Sequence, residues 1–267
     1  MKNFILAFIL IVSIFPTGIA QKKEKASTNG NSHQENNWQQ LFNGKDLTNW
    51  IVKLKGHSLN EDPYNTFRVK KGLLQVSYDN YDTFNATYGH LFFKNPYSSY
   101  KLKLQYRFIG EQIKGGEGWA TKNSGVMIHS QSPESMNIDQ DFPVSIEVQL
   151  LGGLTPGEDR PTGNLCTPGT HVVMNDKLVE THCINSTSKT YYDDQWVELE
   201  ILVLNDSIIK HFINGEEVLH YSKPQIGGEY NTLKSQKGEI LKSGYISLQS
   251  ESHPIEFRKI ELMELDY

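Results

Sequence analysis

With 267 residues, a net charge of −5 and a pI near 6.0, the chain carries no basic stripe. Nucleic acid is excluded as a partner, because phosphate contacts need clustered lysine and arginine, and no basic amphipathic segment marks a membrane surface. Aromatic residues make up 11% of the chain, which suits a β-rich core and also suits stacking on sugars.

The first element is a leader. Met1-Lys2-Asn3 is a short positive start, Phe4 to Phe15 is almost wholly apolar, and Pro16-Thr17-Gly18-Ile19-Ala20 supplies a turn and small residues at a cleavage point. This is the layout of a cleavable signal peptide over 1–20, shorter than the roughly 20 apolar residues that span a bilayer. No membrane span is expected after cleavage, and no cysteine follows Ala20 to take a lipid. The expected location is periplasmic or secreted. Residues 21–37 are polar, without an aliphatic or aromatic side chain, and are expected to be a flexible tether, since they cannot bury enough surface to offset ordering entropy. Residues 38–267 then suffice for one large domain.

Along that domain the hydrophobic period is two. Thr66–Val69 and Leu73–Tyr78 flank the turn Lys71-Gly72. From Tyr100 to Phe108, Leu102, Leu104, Tyr106 and Phe108 share one face, while Lys101, Lys103, Gln105 and Arg107 share the other. From Trp196 to Leu204 the apolar set is Val197, Leu199, Ile201 and Val203. These patterns predict half-buried strands. Asn214-Gly215 predicts a hairpin turn with positive φ at both positions, and residues 229–240 have room for a short helical turn. Many short strands between polar turns predict an all-β sandwich or barrel. Leu151 to Tyr192 differs. It is rich in Gly and Pro, holds both cysteines, and reads as a long functional loop. In an exported protein Cys166 and Cys183 are expected to be disulfide-bonded. The competing expectation is a metal site built from Cys166, His171, His182 and Cys183.

Three strands carry polar groups opposite an apolar face. Asn123 to His129 presents Gly125, Met127 and His129 opposite Val126 and Ile128. Val144 to Leu150 presents Ser145, Glu147 and Gln149. Gly244 to Glu251 presents Tyr245, Ser247, Gln249 and Glu251 opposite Ile246 and Leu248. If a curved sheet gathers these faces, His129, Glu147, Gln149 and Glu251 converge; otherwise this is a plain solvated sheet face. His171 and His182 flank the cysteines and are further acid, base or ligand candidates. Asn123, Gln249, Arg107 and Trp119 are candidates for substrate contacts, and Tyr88 and Tyr192 are further aromatics for stacking.

Five motifs in order then carry a resemblance. They are L-F-N-G-K-D-L-T-N-W at Leu41–Trp50, N-S-G-V-M-I-H at Asn123–His129 with I-E-V-Q-L-L at Ile146–Leu151, Q-W-V-E-L-E at Gln195–Glu200, I-N-G-E at Ile213–Glu216, and G-Y-I-S-L-Q-S-E-S-H-P-I-E-F-R-K-I at Gly244–Ile260. Over 38–267 the chain resembles the 3-keto-disaccharide hydrolase family. That resemblance implies a concanavalin A-like jelly-roll sandwich of two antiparallel sheets, related to the endoglucanases of glycoside hydrolase family 16. It also implies glycosides already oxidised at C3 by a partner sugar 3-dehydrogenase.

The endoglucanases usually carry both catalytic carboxylates in an E-x-D-x-E-like stretch. Here Gln149 and Leu151 replace the second and third acids, so a two-carboxylate mechanism on that strand is incomplete. A 3-keto sugar needs less, because its ketone acidifies the C2 proton. One base, one stabiliser of the enolate and one acid for the leaving group then complete an elimination. Glu147 is the expected base or metal ligand, and His129 the polariser or second ligand. Gln149 and Glu251 are expected to orient the sugar or complete coordination, and His171 and His182 to reach in from the loop. A divalent metal ion held by Glu147, His129 and Glu251 is one possible stabiliser. The alternatives are a lectin-like carbohydrate-binding module, and an ordinary endoglycosidase using Glu251 as its second carboxylate.

Overall fold

In the computed structural model the period-two segments pair into two antiparallel sheets. The model describes residues 37–192 and 194–267 together with Met1; the rest of the expected signal peptide and all but the last residue of the expected tether lie outside the described residues. One sheet has seven strands, in spatial order Cys183–Ile184, Asn164–Cys166, Ile146–Leu151, Asn123–Ser130, Tyr245–Ser250, Gly89–Phe93 and Trp50–Leu54. The other has ten. Its path runs Lys177–Val179, Thr170–Met174, Glu216–Ile226, Ile208–Ile213, Val197–Leu204, Ser99–Phe108, Ile255–Glu264, Leu73–Val76 and Phe67–Lys70, with Gln39–Gln40 added beside Ile255–Glu264. This is the expected all-β, concanavalin A-like sandwich.

Alternation explains which residues face inward. Leu102, Leu104 and Tyr106 of the ten-stranded sheet meet Val126, Ile128, Ile146, Val148, Ile246 and Leu248 of the seven-stranded sheet in one continuous core. Because successive strand residues point to opposite faces, Gly125, Met127, Glu147, Gln149, Ser247 and Gln249 all face away from that core. The turns follow their residues as well. Asn214 and Gly215 have φ of 48° and 83°, and Lys71 and Gly72 have φ of 52° and 78°, as two-residue hairpins require. The helical turn in 229–240 is a single 3₁₀ turn at Lys234–Gln236.

The stretch from Leu151 to Tyr192 is not structureless. It holds four strands, Asn164–Cys166, Thr170–Met174, Lys177–Val179 and Cys183–Ile184. They are two to five residues long, too short for alternation to register. Cys166 and Cys183 lie directly across from each other at the sheet edge and are bonded. The cysteines therefore close a disulfide rather than a metal site, which fits an oxidising compartment. No helix among the described residues is long and apolar enough to cross a membrane.

The bond closes 17 positions, a loop for which the chain-entropy model gives about 3 kcal/mol. Changing both cysteines to serine is expected to lower the melting temperature by roughly 6–12 °C for a domain of this size. An unchanged thermal midpoint in the double variant would show that the strand pair alone holds this edge.

Candidate active site

The outward face of the seven-stranded sheet is polar yet buried. Loops cover it and leave one cavity of about 320 Å³. Its floor is strand-borne: Asn123, Glu147, Gln149 and Cys166, with Glu251 just beyond the end of its strand. Register sets this neighbourhood. Glu147 pairs with Met127 and Cys166, and Gln149 pairs with Gly125 and Asn164. The rim comes from the loops, with Trp119 and Arg160 contributed on one side and Phe142, His182 and Tyr230 by other segments. A buried lysine helps fix the covering loops. Lys53 Nζ donates to the carbonyls of Leu54, His57 and Ile138 at 3.1, 3.2 and 3.1 Å, and burial lowers its pKa.

Two carboxyl groups share this cavity. Glu147 is 7% exposed and Glu251 is 4% exposed. Burial raises the Glu147 pKa above the usual carboxylate range. Glu251 is raised as well, by burial first and then by the charge of Glu147. Like charges in one dry site cannot both ionise easily, so the pair holds a proton at pH values where free carboxylates hold none. Gln249 Nε2 donates to Glu251 Oε1 at 3.4 Å, while Glu251 Oε2 is buried without a partner. Asn123 Oδ1 and His182 Nδ1 are likewise unpartnered. These free polar atoms, converging on one cavity, are what a hydroxyl-rich ligand would satisfy.

Supporting groups are better anchored. Asn164 Nδ2 donates to Gln149 Oε1 at 3.1 Å, which leaves the Gln149 amide protons free. Arg160 is held by carbonyls: Nη1 donates to those of Lys122 (3.2 Å) and Gly152 (2.5 Å), and Nη2 to that of Trp119 (3.4 Å). Its guanidinium therefore secures the loop that carries Trp119, whose ring is 53% exposed.

Six residues expected at a site are brought together here: Glu147, Gln149, Glu251, Asn123, His182 and Trp119. Gln249 is fully buried and does not line the cavity; its amide donates to Glu251. Three others lie elsewhere. His129 lies in a bulge, since Met127 pairs with Ser247 but Ser130 with Tyr245, and its φ is 48°. The extra residue breaks the alternation, and His129 Nε2 bonds the Asn205 carbonyl at 2.9 Å. His171 belongs to a strand of the other sheet, with Nε2 3.8 Å from Glu180 and its ring against Gly227. Arg107 lies on the outer face of the ten-stranded sheet, donating to Glu256 at 2.7 Å and stacking on Trp196 at 4.7 Å. Tyr88 and Tyr192 do not line the cavity; Tyr88 packs on Phe142, and Tyr192 donates to the Glu158 carbonyl.

With His129 committed to Asn205, the set Glu147, His129 and Glu251 does not assemble as metal ligands. No cluster of three His, Cys, Asp or Glu suited to a metal occurs among the described residues. Arg160, Phe142 and Tyr230 were not expected. They sit in irregular loops, where only proximity in the fold could select them.

Comparison with known proteins agrees with this architecture. A family model described as the 3-keto-alpha-glucoside-1,2-lyase-like domain matches residues 37–263. No curated protein matches the chain. Two solved structures of provisionally named glycosyl hydrolases from Parabacteroides distasonis ATCC 8503 share the fold. One aligns with a TM-score of 0.51 and 20% identity over 86% of this chain and 94% of its own. The other gives 0.52 and 18% over 86% and 100%. A β-glucanase of Bacillus licheniformis aligns at 0.47 and 9% over 86% and 97%.

Proposed function

The chain belongs to the 3-keto-alpha-glucoside-1,2-lyase-like family, and from that premise we propose that it is an exported enzyme cleaving 3-keto-glycosides by elimination. The observation that carries the reading is the buried pair Glu147 and Glu251 in a cavity lined with unpartnered polar atoms. Pairs whose environments separate their proton affinities divide acid and base roles. In such a pair one acid keeps the shared proton while the other is free to accept one; the reading gives the base role to Glu147, on the cavity floor, and the acid role to Glu251, just beyond the end of its strand.

In the proposed reaction Glu147 takes the proton from C2, and the electron pair delocalises onto the C3 oxygen as an enolate. The free amide protons of Gln149 support that charge. The enolate collapses to a C1–C2 double bond, the C1–O bond breaks with its electron pair on oxygen, and Glu251 protonates the departing oxygen. Addition of water across the new double bond completes hydrolysis. No step is routed through a metal.

A lectin-like module has no use for two repelling acids held dry, since strongly perturbed groups concentrate where chemistry occurs. A second reading is favoured by the same pair: an ordinary glycosidase could use Glu147 and Glu251 as its two carboxyl groups. The ketone decides between them. The expected result is rapid release of the leaving group from a 3-keto-glycoside and little from the same glycoside unoxidised, whose C2 proton is not acidic. Equal rates on both would support the ordinary glycosidase, and binding without turnover of either would leave only the module.

A further inference from the structure

The chain turns a corner directly after Glu251. Strand Tyr245–Ser250 of the seven-stranded sheet ends, Glu251 meets the cavity, and the chain crosses to Ile255–Glu264 of the ten-stranded sheet. The corner residue is Ser252, fully buried, with a φ of 88°. A residue with a side chain is uncommon at positive φ, and such strain persists only where the surroundings impose it. Here they act from two sides. The Tyr78 hydroxyl accepts the Ser252 amide proton at 2.7 Å and shares a hydrogen bond with Ser250 Oγ at 3.0 Å, so one phenol holds both neighbours of Glu251. Opposite it, Gln112 Nε2 donates to Ser252 Oγ at 2.8 Å, and the Ile113 amide donates to the Ser252 carbonyl at 3.0 Å.

Tyr78 is itself held in place. It is buried, and its ring packs edge-on against Tyr81 at 5.2 Å and Phe84 at 5.9 Å. Burial raises its pKa above the ordinary phenol value, so it stays a neutral hydroxyl. Gly116 completes the fit, because a side chain there would collide with Ser252 Oγ and Gln112 Nε2. Neither Tyr78 nor Ser252 lines the cavity. The Glu251 carboxyl has only the 3.4 Å contact from Gln249 to orient it, so its place depends on the backbone that carries it. We infer that Tyr78 is a positioning residue for Glu251: by bracketing that residue through Ser250 and Ser252, its hydroxyl fixes the backbone from which the acid reaches the departing oxygen. This rests on the proposed elimination and adds to it the group that places its acid.

The test uses the whole protein and two 3-keto-glycosides with the same oxidised ring. One releases 4-nitrophenolate, which departs without a proton; the other releases methanol, whose oxygen needs one from a general acid. The ratio of kcat/KM values, methyl over nitrophenyl, therefore reads the acid and does not depend on how much protein is folded. In Tyr78→Phe, which keeps the ring and removes the hydroxyl, that ratio is expected to fall roughly 10-fold, within the 10²-fold cost of a misplacement near 1 Å. A merely structural hydroxyl would lower both rates together. Ser252→Gly adopts the positive φ without strain and loses the Gln112 anchor; it is expected to fold and to lower the ratio about 5-fold, the weight of one hydrogen bond. An unchanged ratio in Tyr78→Phe overturns the assignment, and if that variant does not fold, an unchanged ratio in Ser252→Gly does so. If the wild type turns over neither substrate, the elimination itself fails. Then, or if only one is turned over, the carboxyl titration of Glu251 is followed by carbon NMR, its resonance identified by its loss in Glu251→Gln. A moved midpoint in the folded variant upholds the positioning role, and an unmoved one overturns it.

Discussion

Glutamine in place of Glu147 is expected to lower turnover of a 3-keto-glycoside by about 10²–10⁴-fold, the usual contribution of a general base, with the fold intact. Glu147 faces away from the core into the cavity, so the change removes basicity and charge while keeping shape and hydrogen-bonding reach. A structural role would predict instead a loss of stability, and here linkage gives the opposite sign. The Glu147 pKa is raised in the fold, by burial, above the 4.5 of a free glutamate. Between those two values the native state binds more protons than the unfolded state, so wild-type stability falls as pH rises through that window. Below the window both states are protonated and nothing is lost. The glutamine variant should therefore match the wild type at acidic pH and become the more stable protein as pH rises, the gap growing by up to about 1.4 kcal/mol per pH unit. In the wild type, kcat/KM should climb with pH through an apparent value above the ordinary carboxylate range, a value belonging to the pair rather than to either acid. Wild-type turnover by the variant, or a stability gap independent of pH, would remove Glu147 from the role of base.

Much of this arrangement was legible because strands report themselves through alternation. Glu147 and Gln149 stand between Ile146, Val148 and Leu150, and that pattern alone places them opposite the core. Gly244 to Glu251 does the same for Gln249 and Glu251. His129 was misplaced for a physical reason. Alternation extrapolates through a bulge, and one inserted residue at positive φ sent the ring to Asn205. Arg107 was assigned to the correct face of its own strand, but period two cannot say which sheet that strand joins. His171 fell in a five-residue strand inside an interval read as loop. Arg160 and Tyr230 are positioned by carbonyl contacts and turn geometry distant in the chain, which no local pattern encodes. What alternation left undecided, an open solvated face or a covered one, depends on loops that no strand pattern encodes; here they cover the face and leave a cavity over it.

Gly125 supplies the sharpest test of how the base is placed. In the motif Asn123 to His129 it faces the cavity across from Gln149, and the Glu147 side chain lies over it. A Cβ added at Gly125 would stand 2.6 Å from Glu147 Oε1, 2.8 Å from Cγ and 2.9 Å from Cδ. These distances are impossible, so something must move. The obstructing atoms, from Cγ outward, all belong to the Glu147 side chain and none to backbone, so that side chain must change rotamer while the sheet can stay. Gly125 is not among the residues with positive φ, and alanine there adds no backbone strain; by restricting the unfolded chain it is even slightly favourable. Gly125→Ala is therefore expected to fold with a melting temperature close to that of the wild type and to lose about 10²-fold in kcat, the scale of a misplacement near 1 Å. Glycine here serves as space, letting Glu147 cross the strand toward Glu251. If the alanine variant keeps full activity, the position of the Glu147 carboxylate does not limit the reaction, and the assignment of the base must pass to Glu251. If it loses activity only by unfolding, the glycine is needed for packing and carries no information about the chemistry.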